Sequence, residues 1–155
     1  MDSSSSPAAL YRRSDATGQL RQCSELEYLL LGDLREMLEE PLTYRSRKWM
    51  LAVLDVLLDT LPREHRLMST DGYLSEVLQE FPNWSGRGEQ LESQHYSLYD
   101  RLWDLRDELE IDELDHHDVA ELRYSLQEWM EQLLDHRQRE SRLLLAAVNT
   151  DIGGG

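Results

Sequence analysis

His136 and Glu140 lie four residues apart in the stretch of this chain with the most regular period. Leu122, Leu126, Trp129, Leu133, His136, Glu140, Leu143 and Ala147 step by 4, 3, 4, 3, 4, 3 and 4. That alternation puts all eight on one stripe of a helix, with the imidazole and the carboxylate stacked on its apolar face. A buried pair of this kind is costly unless its members bond to each other, to a neighbouring helix or to a metal. His95 fills a similar slot, in the series Leu91, His95, Leu98, Leu102, Leu105 and Leu109. His65 does so after Leu54, Leu58 and Leu61 and before Met68. Glu27 lies at the edge of the stripe Leu20, Cys23, Glu27, Leu30, Leu34 and Met37, where a rim carboxylate facing water is the simpler reading. Three imidazoles with one or two carboxylates suit iron, manganese or zinc. Without a metal, His95, His136 and Glu140 would bond to one another as a polar layer that fixes helix register. A His with a Glu one turn away has the form of a general base, but no companion nucleophile accompanies it and catalysis is not expected.

The elements that must position these residues are helices, since no strand pattern or phosphate-binding glycine loop competes. The first helix is expected over about Gln19 to Glu40, ended by Pro41. The second begins near Thr43 or Tyr44 and carries a broad apolar face from Met50 to Leu61 before Pro62, where a kink or a restart is expected. Ser69 to Gly72 read as a break, Tyr73 to Phe81 as a short amphipathic helix, and Pro82 to Gly88 as a turn-rich loop. The third long helix runs from about Gly88 to Glu110. The fourth, capped by Asp115 or Asp118, ends near Val148. His116 and His117 fall in or beside the preceding loop and face solvent. These connections fit an all-α, antiparallel up-down four-helix bundle with a short extra helix between helices two and three.

A bundle brings side chains of different helices to one depth. From a loop centred near Asp115, His95 lies 20 residues before and His136 lies 21 after, level within one helical rise of about 1.5 Å. From a loop near Ser85, His65 lies 20 residues back and His95 only 10 forward, a mismatch of about 15 Å in continuous helix. His65 therefore joins the others only if residues 69–88 form an excursion, and Glu27 carries the same condition.

Composition narrows the function. At 155 residues the chain fits one domain: an expected disordered arm over residues 1–18, the bundle over 19–150 and a flexible glycine tail over 151–155. Sixteen basic against thirty-one acidic residues leave a net charge of -15, which repels nucleic acids and anionic membranes and leaves metal ions or cationic proteins as partners. The solitary Cys23 excludes an internal disulfide and favours a reducing compartment, so a cytoplasmic protein is expected. No secretory signal or apolar run of membrane-spanning length, about 20 residues, is present.

Helix two with His65 after its apolar face, helix three with His95 in a leucine stripe, and helix four with His136 followed by Glu140 resemble the hemerythrin-like (HHE cation-binding) family, over about Gln19 to Val148. The resemblance implies a four-helix bundle with a di-iron site of histidines and bridging carboxylates, used in oxygen binding, iron handling or sensing. It assigns His65, His95 and His136 to histidine ligand positions and sets Glu140 near a carboxylate position, with Glu27 as a further candidate. Ser69 stands where the family's helix-two carboxylate would lie, and the family's first-helix histidine and second helix-three histidine are absent. The implied function is metal sensing or handling at a depleted site holding iron or another transition metal, rather than a complete di-iron centre. The alternative is a metal-free interaction or scaffold protein that keeps a buried His/Glu layer.

Overall fold

The computed structural model describes the backbone of residues 7–69, 73–111 and 114–153, and the side chains of 17–69, 74–111, 114–146 and 149. Apart from short connections, the described residues are helical, with no strand, as spacings of three and four demand. In chain order the elements are α1 (Pro7–Glu39), α2 (Tyr44–Ser69), the short α3 (Tyr73–Glu80), a 3-10 turn over Pro82–Trp84, α4 (Ser85–Glu110) and α5 (His116–Gly153).

Local chemistry fixes the helix boundaries. Thr43 and Ser46 form a reciprocal cap at the start of α2: the Ser46 amide donates to Thr43 Oγ1 at 3.1 Å and the Thr43 amide donates to Ser46 Oγ at 2.8 Å. Asp115 caps α5, its Oδ1 accepting from the Asp118 amide at 2.8 Å. Arg123 donates to the carbonyls of Leu38 and Glu40 at the end of α1. Arg47 Nε donates to the Leu109 carbonyl at 2.6 Å at the end of α4. Each arginine thus satisfies carbonyls that have no partner within their own helix. His116 and His117 sit in the first turn of α5, exposed, with His117 paired to Glu121 at 3.2 Å.

Three boundaries differ from the sequence expectation. The first helix begins at Pro7 rather than Gln19, so the arm expected over residues 1–18 is helical from Pro7 onward, and residues 1–6 lie outside the described part. Proline is favoured at a first helical position and Ala8 and Ala9 are strong helix formers; helix formed this way has no apolar stripe for a periodicity argument to detect. α5 likewise passes the expected stop at Val148 and reaches Gly153, although Asn149 to Gly153 are weak helix formers, leaving only Gly154 and Gly155 of the expected tail outside the description. Finally, α2 runs unbroken through Pro62, although the missing amide gives up one bond in the ladder.

Leu31, Leu34 and Leu38 of α1, Met50 to Leu61 of α2, Leu98 to Leu109 of α4 and Leu122 to Leu133 of α5 share one apolar core. In α1 the buried stripe is Leu31, Leu34 and Leu38, while Leu30 and Met37, expected in it, are half-buried. Two smaller apolar clusters lie elsewhere: Cys23 with Leu67, and Leu74 with Leu91 and Leu143. Trp129 is fully enclosed and its Nε1 donates to the Leu98 carbonyl at 2.9 Å, so the indole meets its polar requirement inside the core. Leu78 of α3 reaches over Gly88 of α4 because Gly88 has no side chain: a Cβ there would lie 2.5 Å from Leu78 Cδ1.

Candidate functional site

Every long helix places charged or imidazole side chains within its apolar stripe. In α1 the interruption is Glu27, between Cys23 and Leu31; in α2, Glu64 and His65, between Leu61 and Leu67. In α4 it is His95, between Leu91 and Leu98, and in α5 it is His136, Arg137 and Glu140, between Leu133 and Leu143. Tertiary packing brings these residues together. The result is a polar layer between the main core and the smaller clusters.

At the centre of the layer is the guanidinium of Arg137, mostly buried. Its Nε donates to Glu27 Oε1 at 3.1 Å, its Nη2 to Glu64 Oε2 at 2.8 Å and its Nη1 to Glu140 Oε1 at 2.7 Å. One planar cation thus links α1, α2 and α5, as a guanidinium's fixed fork of donors allows. The three carboxylates are 5%, 2% and 3% exposed, depths at which an unpaired charge would not persist. Glu64 Oε1 also accepts from Ser24 Oγ at 3.0 Å.

The histidines complete the layer. His65, half-buried, stacks on His95 with ring centroids 3.9 Å apart and planes 6° from parallel. His65 does therefore reach the level of His95, with α3 and the 3-10 turn lying between α2 and α4 in the chain. His136 Nδ1 lies 3.1 Å from Gln94 Oε1, and His136 Nε2 lies 3.6 Å from Glu140 Oε2, too far for a hydrogen bond. That buried nitrogen has no hydrogen-bond partner among the described residues.

Burial sets the protonation of the layer. Desolvation comes first, followed by a hydrogen bond shared with Glu27, and together they push Glu64 up to about 8. Desolvation also raises Glu140, against the pull of Arg137. Burial works against the charge on Arg137, but Glu140, Glu27 and Glu64 outweigh it and raise its pKa. His95 is lowered to about 3 by burial and by the neighbouring His65, Arg137 and His136. His136 is lowered to about 4 by burial, Arg137 and His65, and burial lowers His65 as well. At neutral pH the three imidazoles are therefore uncharged.

All five residues singled out in the sequence, His65, His95, His136, Glu140 and Glu27, lie in this layer, and Glu27 is buried rather than at a wet rim. Two members were missed. Glu64 sits on the stripe Leu57, Leu61, Glu64, Leu67 and Arg137 on the stripe Met130, Leu133, Arg137, Glu140, Leu144. Both patterns are visible in the sequence, but each competes with a better apolar stripe one residue away.

As arranged, the layer does not present a ligand set to one metal. The carboxylates converge on a guanidinium, and two parallel imidazoles cannot both hold in their ring planes an ion at about 2.1 Å. Among the described residues no group of three or more His, Cys, Asp or Glu side chains is placed to hold a metal ion. Comparison with known proteins adds no constraint, since no family model, no curated protein and no solved structure matches this chain.

Proposed function

We propose that this chain is a hemerythrin-like, antiparallel up-down four-helix bundle, with α3 as an excursion between its second and third long helices, that works as an interaction or scaffold module without catalysis. The up-down reading is supported by the order of core and polar layer. The main core follows the polar residue in α1 and α4 and precedes it in α2 and α5, as alternating directions require. One observation carries the functional reading: Arg137 occupies the midst of Glu27, Glu64 and Glu140, so the carboxylates already have a cation, supplied by the chain. No helix among the described residues is long and apolar enough to cross a membrane, and the buried free thiol of Cys23 fits a reducing cytoplasm.

Metal content decides the matter. Chain purified without a histidine tag and incubated anaerobically with iron(II), manganese(II) or zinc(II) should retain well under a third of an equivalent after desalting. A full equivalent of any of these overturns the metal-free reading.

The second reading, metal sensing or handling at the depleted site, is favoured by the unpartnered Nε2 of His136 beside Glu140 and by three imidazoles held neutral, the form that ligates metals. It requires Arg137 to withdraw, so Arg137→Gln should then bind metal more tightly than the natural chain. Unchanged metal content in that variant removes this reading.

A further inference from the structure

In a chain with almost twice as many acidic as basic residues, three arginines line one small cleft. It lies between α4 and α5, has a volume of about 220 Å³, and is lined by Arg87, Arg139 and Arg142, with Gln94 and with Leu91 and Leu143 as apolar surface. No carboxylate lines it among the described residues. Arg139 is paired to Asp135 at 3.0 Å and Arg87 lies over the Trp84 ring at 5.9 Å, while Arg142 has no ion pair among the described residues. Asp135 already balances Arg139, but Arg87 and Arg142 have no carboxylate partner among the described residues, and an anion between them would supply one. The net charge of -15 does not forbid this, because at physiological ionic strength charges beyond about 8 Å are largely screened and the local arginines dominate.

We propose that this cleft binds a phosphate ester carrying a short apolar group. Three guanidiniums match the several oxygens and double charge of a phosphoryl group better than the two oxygens of a carboxylate. Leu91 and Leu143, both buried beside Leu74 in one apolar cluster, offer the substituent a place out of water. Gln94 joins the cleft to the polar layer, since it lines the one and lies 3.1 Å from His136 Nδ1 in the other. A ligand that engages the Gln94 amide therefore alters the His136 environment. The proposal does not depend on whether the layer holds a metal.

Isothermal titration of the full chain at physiological ionic strength with n-butyl phosphate, inorganic phosphate and butyrate tests it. Saturable one-to-one binding of butyl phosphate is expected, at least about tenfold tighter than either of the others. Arg139→Gln/Arg142→Gln should weaken it at least about tenfold, with Arg142→Gln alone as a milder control. Thermal melts should show both variants folded, because these side chains are exposed. On saturation the His136 ring resonances should shift in the natural chain and not in Gln94→Leu. Absence of saturation up to about 10 mM, equal binding by the arginine variants, or equal affinity for butyrate overturns the proposal. Equal affinity for inorganic phosphate overturns the assignment of an ester, and an unmoved His136 overturns the link through Gln94.

Discussion

Arg137 is the residue on which the buried layer turns. Removing one partner of a buried ion pair costs about 3–5 kcal/mol because the partner charges remain buried. We expect Arg137→Met to destabilise the chain by about that amount at pH 7, and by less at pH 5, where the carboxylates left behind are more readily protonated; denaturant titration at both pH values reads this out. An equal loss at the two pH values would contradict the assigned role. The ionisable groups also set the pH dependence of the natural chain. Glu64 is raised from 4.5 to about 8, so its stabilising protonated form is fully present at low pH and is lost as pH rises through 8. His95 and His136 are lowered from 6.5 to about 3 and about 4; their neutral forms hold above pH 6.5 and their contribution is lost as pH falls toward 4 and 3. Between pH 6.5 and 8 the folded state holds the extra proton on Glu64, with Glu140 acting in the same direction, and below 6.5 the unfolded state holds extra protons on His95 and His136, with His65 acting in the same direction. Stability should therefore peak near pH 6.5, and Glu64→Gln should flatten the alkaline side. Melting curves from pH 5 to 9 that show the same alkaline slope in the variant would refute the assignment.

Among the helices, one feature to test is the close approach of Leu78 in α3 to Gly88 in α4. Gly32 and Gly88 are both helical glycines, yet a Cβ at Gly32 meets nothing within 4 Å while one at Gly88 runs into Leu78. Alanine is favoured over glycine inside a helix by about 0.5–1 kcal/mol. Gly32→Ala should raise the melting temperature accordingly. Gly88→Ala should gain less or lose outright, because Leu78 must turn away; comparable gains in both melts would show that Leu78 does not lie over Gly88. The Thr43 cap belongs to this scale too, and Thr43→Ala should cost about 1 kcal/mol. Helix identity was legible because stripes of Leu at three and four survive any context. Helix length was not: residues 7–18 and 149–153 extend α1 and α5 without an apolar stripe to mark them.

For the molecule as a whole, a net charge of -15 makes the folded state repel itself. Added NaCl should raise the melting temperature by screening that repulsion, and a melt that falls with salt would mean that exposed ion pairs, such as those of Arg106 with Asp55 and Glu110, outweigh it. The sequence by itself determined that the chain is helical, that its interior is leucine-rich, and that His95, His136 and Glu140 interrupt that interior. Each of these follows from spacing along a single helix, a local property. Only the tertiary structure decided that His65 stacks on His95, that Glu27 is buried, and that Glu64 and Arg137 belong to the same layer. Those facts depend on how deep each helix lies relative to the others and on where a long flexible guanidinium finds its carboxylates, quantities fixed by packing between segments up to 110 residues apart and by no periodicity within one of them.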